Sequence, residues 1–285
     1  MTILDRSDYV GAATMRNFEG FVFLNIDNFA CAWNTYIGCI HSADAGLTKP
    51  TRLAVSSWLA FLLKDRRRFE IESLFERVRQ AERPGAPSRM RGFFVIEDMG
   101  SAVRILDEDP WGCHFCEDFI TDVGVSAISE VRVDSNWFHY YEKLVEQRWD
   151  ATDIAKNYWS GKPYADRAPI WETIVDGEIM VWGEELRKHA FENIKSRAPQ
   201  NIPLLEVARV AHEDAEGLGE TAAFVVGGHQ KYVNYFINFD ATDDKLASLF
   251  HKATVNGQIN PVALKGFEQY GLVLPDLSNE GFEIK

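Results

Sequence analysis

The stretch from Ala168 to Trp182 constrains this chain most, because it alternates with the period of a β-strand and carries a carboxylate mid-strand. Ile170, Glu172 and Ile174 share one face, and Trp171, Thr173 and Val175 share the other. Asp176-Gly177 then predicts a tight hairpin turn, with Ile179 and Val181 on the returning strand. A carboxylate among β-branched and aromatic residues is poorly solvated, which leaves two readings for Glu172. On a solvent-facing edge strand it is one polar residue of an amphipathic surface. On a rigid strand facing a partly apolar cleft, it is placed to stabilise positive charge that develops on a substrate.

The material for a core is ample: 285 residues, 46% hydrophobic and 13% aromatic, enough for one large domain or a main domain with an appendage. No run approaches the roughly 18 continuous apolar residues of a membrane span, so no membrane partner is expected. The polar segment from Met1 to Tyr9 lacks the basic and apolar regions of a secretory signal, and the expected location is cytoplasmic. A net charge of −13 argues against broad, phosphate-driven binding of nucleic acid. In that setting Cys31, Cys39, Cys113 and Cys116 are expected to be reduced, buried thiols. The alternative is a tetrahedral zinc site built from the four, with Cys113-His-Phe-Cys116 as one pair and Cys39, close to His41, in the other. The spacing of Cys31 and Cys39 does not fit a zinc knuckle, and no metal is assigned.

Along the chain, Gly20 to Ile26 predicts a first core strand, and residues 30–52 read as loop or short helix. Leu53 to about Gln80 has helical spacing of its apolar residues, ended by Arg83-Pro-Gly-Ala-Pro87. Ser88 to Ile96 reads as a strand, residues 117–133 as a strand pair, and Trp137 to Tyr158 as one or two helices. Glu184 to Ile194 is a helix whose acidic start and basic continuation suit the macrodipole. Pro199 to Pro203 reads as a linker and Leu204 to Val210 as a strand. Two more strands flank Gly227-Gly228, and helices follow from Asp243 to His251 and from Val262 to Tyr270. A Walker or Rossmann phosphate loop is absent from the sequence.

Three stretches fall in a familiar order. Glu70-Ile-Glu-Ser-Leu-Phe-Glu-Arg-Val-Arg79 leads to Pro87-Ser-Arg-Met-Arg-Gly-Phe-Phe-Val-Ile96; Ala155-Lys-Asn-Tyr-Trp-Ser-Gly161 leads to Pro169-Ile-Trp-Glu172 and Val175-Asp-Gly177. Over residues 20 to 185 this order resembles a bacterial domain family of the ADP-ribosyltransferase fold. Its ending is similar to that of DNA-modifying ADP-ribosyltransferase toxins, in which a catalytic Glu begins a strand.

The resemblance implies an α+β fold: a split β-sandwich with flanking helices over residues 1–198, NAD lying in its cleft, and a small α/β appendage over 199–285. By that resemblance Glu172 is the catalytic residue, binding the nicotinamide ribose and stabilising the oxocarbenium-like charge as nicotinamide leaves. Ser88 and Arg89 contact NAD, Arg89 with a fork suited to pyrophosphate. Tyr158 and Trp159 frame the cleft or stack on a ring, or else belong to the core. Where the fold usually carries a His or Arg on the first strand, this chain has Asn25, unless Arg16 or Arg52 takes that place. The activity implied is transfer of ADP-ribose from NAD, as co-substrate, to a macromolecule, with protein favoured over nucleic acid by the acidic composition. The alternative is a non-enzymatic module that uses the same sandwich to bind a protein partner or a nucleotide.

Overall fold

The alternation in Trp171–Val181 is satisfied by one uninterrupted strand, not by a hairpin. The structure, a computed structural model, describes residues 15–43, 54–108, 115–212, 219–238 and 243–284. In chain order its elements are β1 (Arg16–Phe23), α1 (Phe29–Ile37), β2 (Cys39–His41), β3 (Ala54–Val55), α2 (Ser57–Leu62), α3 (Arg66–Glu82), β4 (Phe93–Ile96) and α4 (Met99–Glu108). There follow β5 (Ile120–Asp134), α5 (Asn136–His139), α6 (Tyr141–Glu146), α7 (Ala151–Trp159), β6 (Trp171–Val181), α8 (Glu184–Arg197) and α9 (Ile202–His212). The last are β7 (Thr221–Gly227), β8 (Lys231–Ile237), α10 (Asp243–Val255), α11 (Pro261–Tyr270) and β9 (Phe282–Ile284).

β6 is the organising strand of a five-stranded antiparallel sheet. It pairs with β5 along its whole length, with β4 at Glu172 to Val175 and with β2 at Glu178 to Met180. β1 pairs with β5 and meets β4 at Phe21, opposite Ile96, so β6, β5, β1 and β4 close into a ring. The ring is filled by Val22, Val95, Val123, Val125, Ala127, Val175, Ile179 and Val181, small side chains that suit a narrow interior.

Asp176-Gly177 makes a close cross-strand contact instead of a turn. Gly177 faces Ala127 where the register of β5 shifts between Ala127 and Ser129, and a Cβ there would lie 2.2 Å from the Ser126 carbonyl oxygen. The Ser42 hydroxyl donates to Asp176 Oδ1 at 2.5 Å and accepts from the Gly177 amide at 3.0 Å, which ties the end of β2 to this point. Glycine is needed for the close approach of two backbones, a use that the sequence does not distinguish from a turn.

α9 is the second correction. Leu204 to Val210, expected as a strand, lies inside a helix whose Leu204, Leu205, Val207, Ala208, Val210 and Ala211 are all buried. An apolar run buried all round has no polar face to report the helical period. Pro199 to Pro203, expected as a linker, forms a short 3-10 turn and the start of that helix. The largest core cluster packs α9 against Phe29, Trp33 and Ile37 of α1 and Phe191 and Ile194 of α8, so it draws on residues from both sides of position 198. A second sheet, in the order β3-β7-β8-β9, also joins residues from both sides.

The close approach at Gly177 makes a measurable claim. Gly177→Ala should lose about 1–3 kcal/mol in chemical denaturation, as expected of overpacking. Gly228→Ala, where an added Cβ meets nothing within 4 Å, should stay within about 0.5 kcal/mol of wild type. Equal stability of the two variants would contradict the register described.

Candidate functional site

α3 is built on Ile71, Leu74, Phe75 and Val78, and the helical period carries Glu72 onto the same inward side, three residues before Phe75. Asp65 caps the helix, accepting from the Arg68 amide at 3.1 Å. After the Pro-rich break the chain turns sharply, with the amides of Arg91 and Gly92 both donating to the Ser88 carbonyl, at 3.1 and 2.8 Å. That turn sends Arg89 back under α3. α7, capped by Asp150, delivers Tyr158 from its last turn to the same point, and β6 supplies Glu172.

The four side chains form one buried knot. Arg89 Nε and Nη2 donate to the two oxygens of Glu72, both at 2.9 Å, a bidentate pair. Arg89 Nη1 donates to Glu172 Oε1 at 2.8 Å and also to the Tyr158 hydroxyl. Tyr158 in turn donates to Glu172 Oε1 at 2.7 Å, and Trp58 Nε1 donates to Glu72 Oε1 at 3.1 Å. The guanidinium carbon lies 4.6 Å from the ring centre of Phe94 and 4.2 Å from that of Phe138, so aromatic rings cover the charge. Glu72 is 1% exposed, Glu172 2% and Arg89 4%.

The electrostatics follow from one cation facing two carboxylates. Burial, opposed by the charge of Arg89 and the hydroxyl of Tyr158, still holds the Glu172 carboxyl above its ordinary range. Burial lowers the affinity of Arg89 for its proton, but Glu72, Tyr158 and Glu172 together hold the guanidinium firmly charged. Burial, countered by Arg89 and reinforced by Glu172, pushes the Tyr158 phenol well up, so it stays neutral and donates.

The residues singled out by the sequence thus divide. Arg89, Tyr158 and Glu172 are in direct contact. Ser88 sits beside them, but its hydroxyl donates to Glu76 Oε2 at 2.9 Å. Trp159 is 1% exposed and donates from Nε1 to the Phe75 carbonyl at 2.7 Å, which places it in the core. Asn25 lies beyond the end of β1, accepts from the Asp27 amide at 3.0 Å and lines a separate cavity with Cys116, Asp118, Phe119 and His189. Arg16 pairs with Glu130, and Arg52 lies outside the described residues. Glu72 was not singled out, although its position among Ile71, Phe75 and Val78 carried the signal: a carboxylate on an apolar helix stripe requires a buried partner.

Cys113 and His114 also lie outside the described residues. Among those described, no cluster of three potential metal ligands includes Cys31 or Cys116. Burial, partly offset by the Thr35 hydroxyl, pushes the Cys31 thiol up to about 12.

Part of the ring's outer surface is open. There Asn17 and Glu19 of β1, Gly124 and Ser126 of β5, and Glu178, Met180 and Trp182 line an open cleft of about 310 Å³. The Trp182 ring packs over Gly124, where a Cβ would meet it at 2.5 Å. Met180 is 51% exposed and Trp182 44%, high for side chains of this size.

Residues 15–196 match the family described as "Protein of unknown function (DUF2441)", and the chain belongs to that family. The match takes in the knot and every strand of the ring and stops within α8. No curated protein matches the sequence. Among the described residues, no helix is long and apolar enough to cross a membrane.

Two substitutions separate the roles within the knot. Arg89→Met strands two buried carboxylates and should cost about 3–5 kcal/mol. Glu172→Gln leaves Arg89 paired with Glu72, and its loss should stay near 1 kcal/mol. The sign of the pH effect is fixed as well. With its folded pKa above the ordinary 4.5, Glu172 gives its full stabilising contribution below that value and loses it as pH rises through the raised one. Glu172→Gln has no such slope, so its melting temperature should gain on wild type as pH rises from about 4 to about 8. A difference that is constant, or that moves the other way, contradicts the assignment.

Proposed function

We propose that this chain is a non-catalytic binding module, and that its open cleft takes a cationic segment of a protein partner. The observation that carries this reading is the lining of the cleft. It offers the carboxylates of Glu19 and Glu178 beside the exposed Met180 and Trp182, and no Lys or Arg is among the residues that line it. A lysine or arginine side chain lays its aliphatic stem on an aromatic face while its charged end reaches a carboxylate, and such a cleft repels phosphates. The net charge of −13 favours encounter with basic partners in the same sense.

A second reading is ADP-ribosyl transfer from NAD to a protein or nucleic acid, with Glu172 as the catalytic carboxylate. The contact of Glu172 with Arg89 and Tyr158 favours it, since the resemblance implies those residues for an NAD site. Weighing against it, Glu172 is 2% exposed, and the guanidinium fork intended for pyrophosphate is already occupied by Glu72. A carboxylate that stabilises a departing glycosyl cation has to touch the ribose.

The two readings predict opposite results. For the module, a lysine- and arginine-rich peptide should bind with an affinity that falls steeply with salt. Trp182→Ala or Glu19→Gln should weaken it about 10-fold, roughly 1.4 kcal/mol, and no nicotinamide should be released from NAD by wild type or Glu172→Gln. Nicotinamide release by wild type that Glu172→Gln lowers by roughly 10²–10³ would instead establish the transferase.

A further inference from the structure

β2 and β6 bring a second group of side chains together on the outer face of the sheet. Cys39 and His41 are two residues apart on β2 and so point the same way, and His41 stands directly opposite Glu178 of β6. One sulfur, one ring nitrogen and one carboxylate oxygen of these three residues all lie within 4.8 Å of one another. His41 Nε2 is 3.4 Å from Glu178 Oε2. A tetrahedral ion with nitrogen and oxygen ligands at roughly 2.0–2.2 Å holds them about 3.3–3.6 Å apart, so this edge of the site already has the right length.

The other side of the imidazole is fixed from outside the ring of strands. His41 Nδ1 is 3.0 Å from each carboxylate oxygen of Glu220, the residue just before β7. A carboxylate on one ring nitrogen sets the orientation and tautomer of the imidazole and leaves the other nitrogen's lone pair for a metal. Cys39 is 3% exposed, whereas Glu178 lines the open cleft and is the most exposed of the three. Sulfur, imidazole and carboxylate together suit zinc and disfavour calcium or magnesium, which take oxygen ligands.

We propose that Cys39 Sγ, His41 Nε2 and a Glu178 carboxylate oxygen bind a zinc ion, with Glu220 as the positioning residue for His41. Binding releases the Cys39 thiol proton to solvent, and the thiolate and the Glu178 carboxylate together balance the charge of the ion. The site links β2 and β6, inside the family match, to Glu220 outside it. It differs from a four-cysteine site, because Cys31 and Cys116 take no part. The inference shares Glu178 with the binding reading above but does not rest on it, since Glu19 and Trp182 are not ligands. The competing arrangement is an imidazolium held between Glu178 and Glu220, with the Cys39 thiol hydrogen-bonded to Glu178.

Purified full-length chain should retain one equivalent of zinc by elemental analysis after dialysis, and its melting temperature should fall on treatment with a chelator and recover with added zinc. Cobalt(II) in place of zinc should give a thiolate charge-transfer band and tetrahedral d–d bands. Cys39→Ser should abolish the charge-transfer band, and His41→Asn and the half-exposed Glu178→Gln should each lower zinc affinity by at least about 10-fold. Glu220→Gln should weaken binding by about 10–100-fold while keeping the charge-transfer band, as expected of a residue that acts through His41. Cys31→Ser and Cys116→Ser should retain the metal. A chain that holds no zinc and shows no change of melting temperature with zinc or chelator would overturn the proposal. So would a cobalt spectrum that Cys39→Ser and Glu178→Gln leave intact.

Discussion

A single guanidinium buried with two carboxylates sets the terms for the matched part of the chain. Charges removed from water are tolerated only with close counter-charges and satisfied hydrogen bonds. Arg89 meets that demand by forking onto Glu72 of α3 while reaching Glu172 of β6, with Tyr158 of α7 completing the bond to Glu172. α3 is thereby fixed to α7 and β6, which follow it much later in the chain. Such a knot adds little net stability over an apolar core, but it penalises any arrangement in which one partner is missing. Burial, only partly offset by Arg89 and Tyr158, explains why Glu172 holds its proton more tightly than an ordinary carboxyl.

The sequence made parts of this legible. The strand around Glu172 could be read from alternation, and of the six residues that the resemblance singled out the structure brings Arg89, Tyr158 and Glu172 into contact but not Asn25, Ser88 or Trp159. It did not show what lies over the strand. Whether a carboxylate faces a cleft or a helix depends on the packing of α3 and α7, and the deciding residue, Glu72, sits in a segment that reads as an ordinary amphipathic helix. Asp176-Gly177 and the run from Leu204 to Val210 failed for related reasons. A glycine required for close approach resembles a glycine required for a turn, and a helix buried all round has no periodic signature.

With Glu172 enclosed, chemical opportunity moves to the uncovered far end of the same strand. Six residues further along, Glu178 reaches the outer face between a cleft lined with Trp182 and Glu19 and the His41 pair. β6 therefore separates two roles along its length: its first half anchors the core through Glu172, and its second half presents side chains outward. The residues after position 198 share in this arrangement, since α9 fills the core beneath α1 and α8, and Glu220 fixes His41.

The most direct measurement is the hydrogen exchange of the Arg89 guanidinium, observed by nitrogen-15 NMR with Arg66, an exposed surface residue, as reference. The knot described here predicts that the Arg89 Nε proton exchanges only through large-scale opening of the fold, and that its resonance does not move when NAD is added in excess. Exchange as fast as that of Arg66, or a shift of the Arg89 signal that saturates with NAD, would show instead that the guanidinium and Glu172 are open to a ligand.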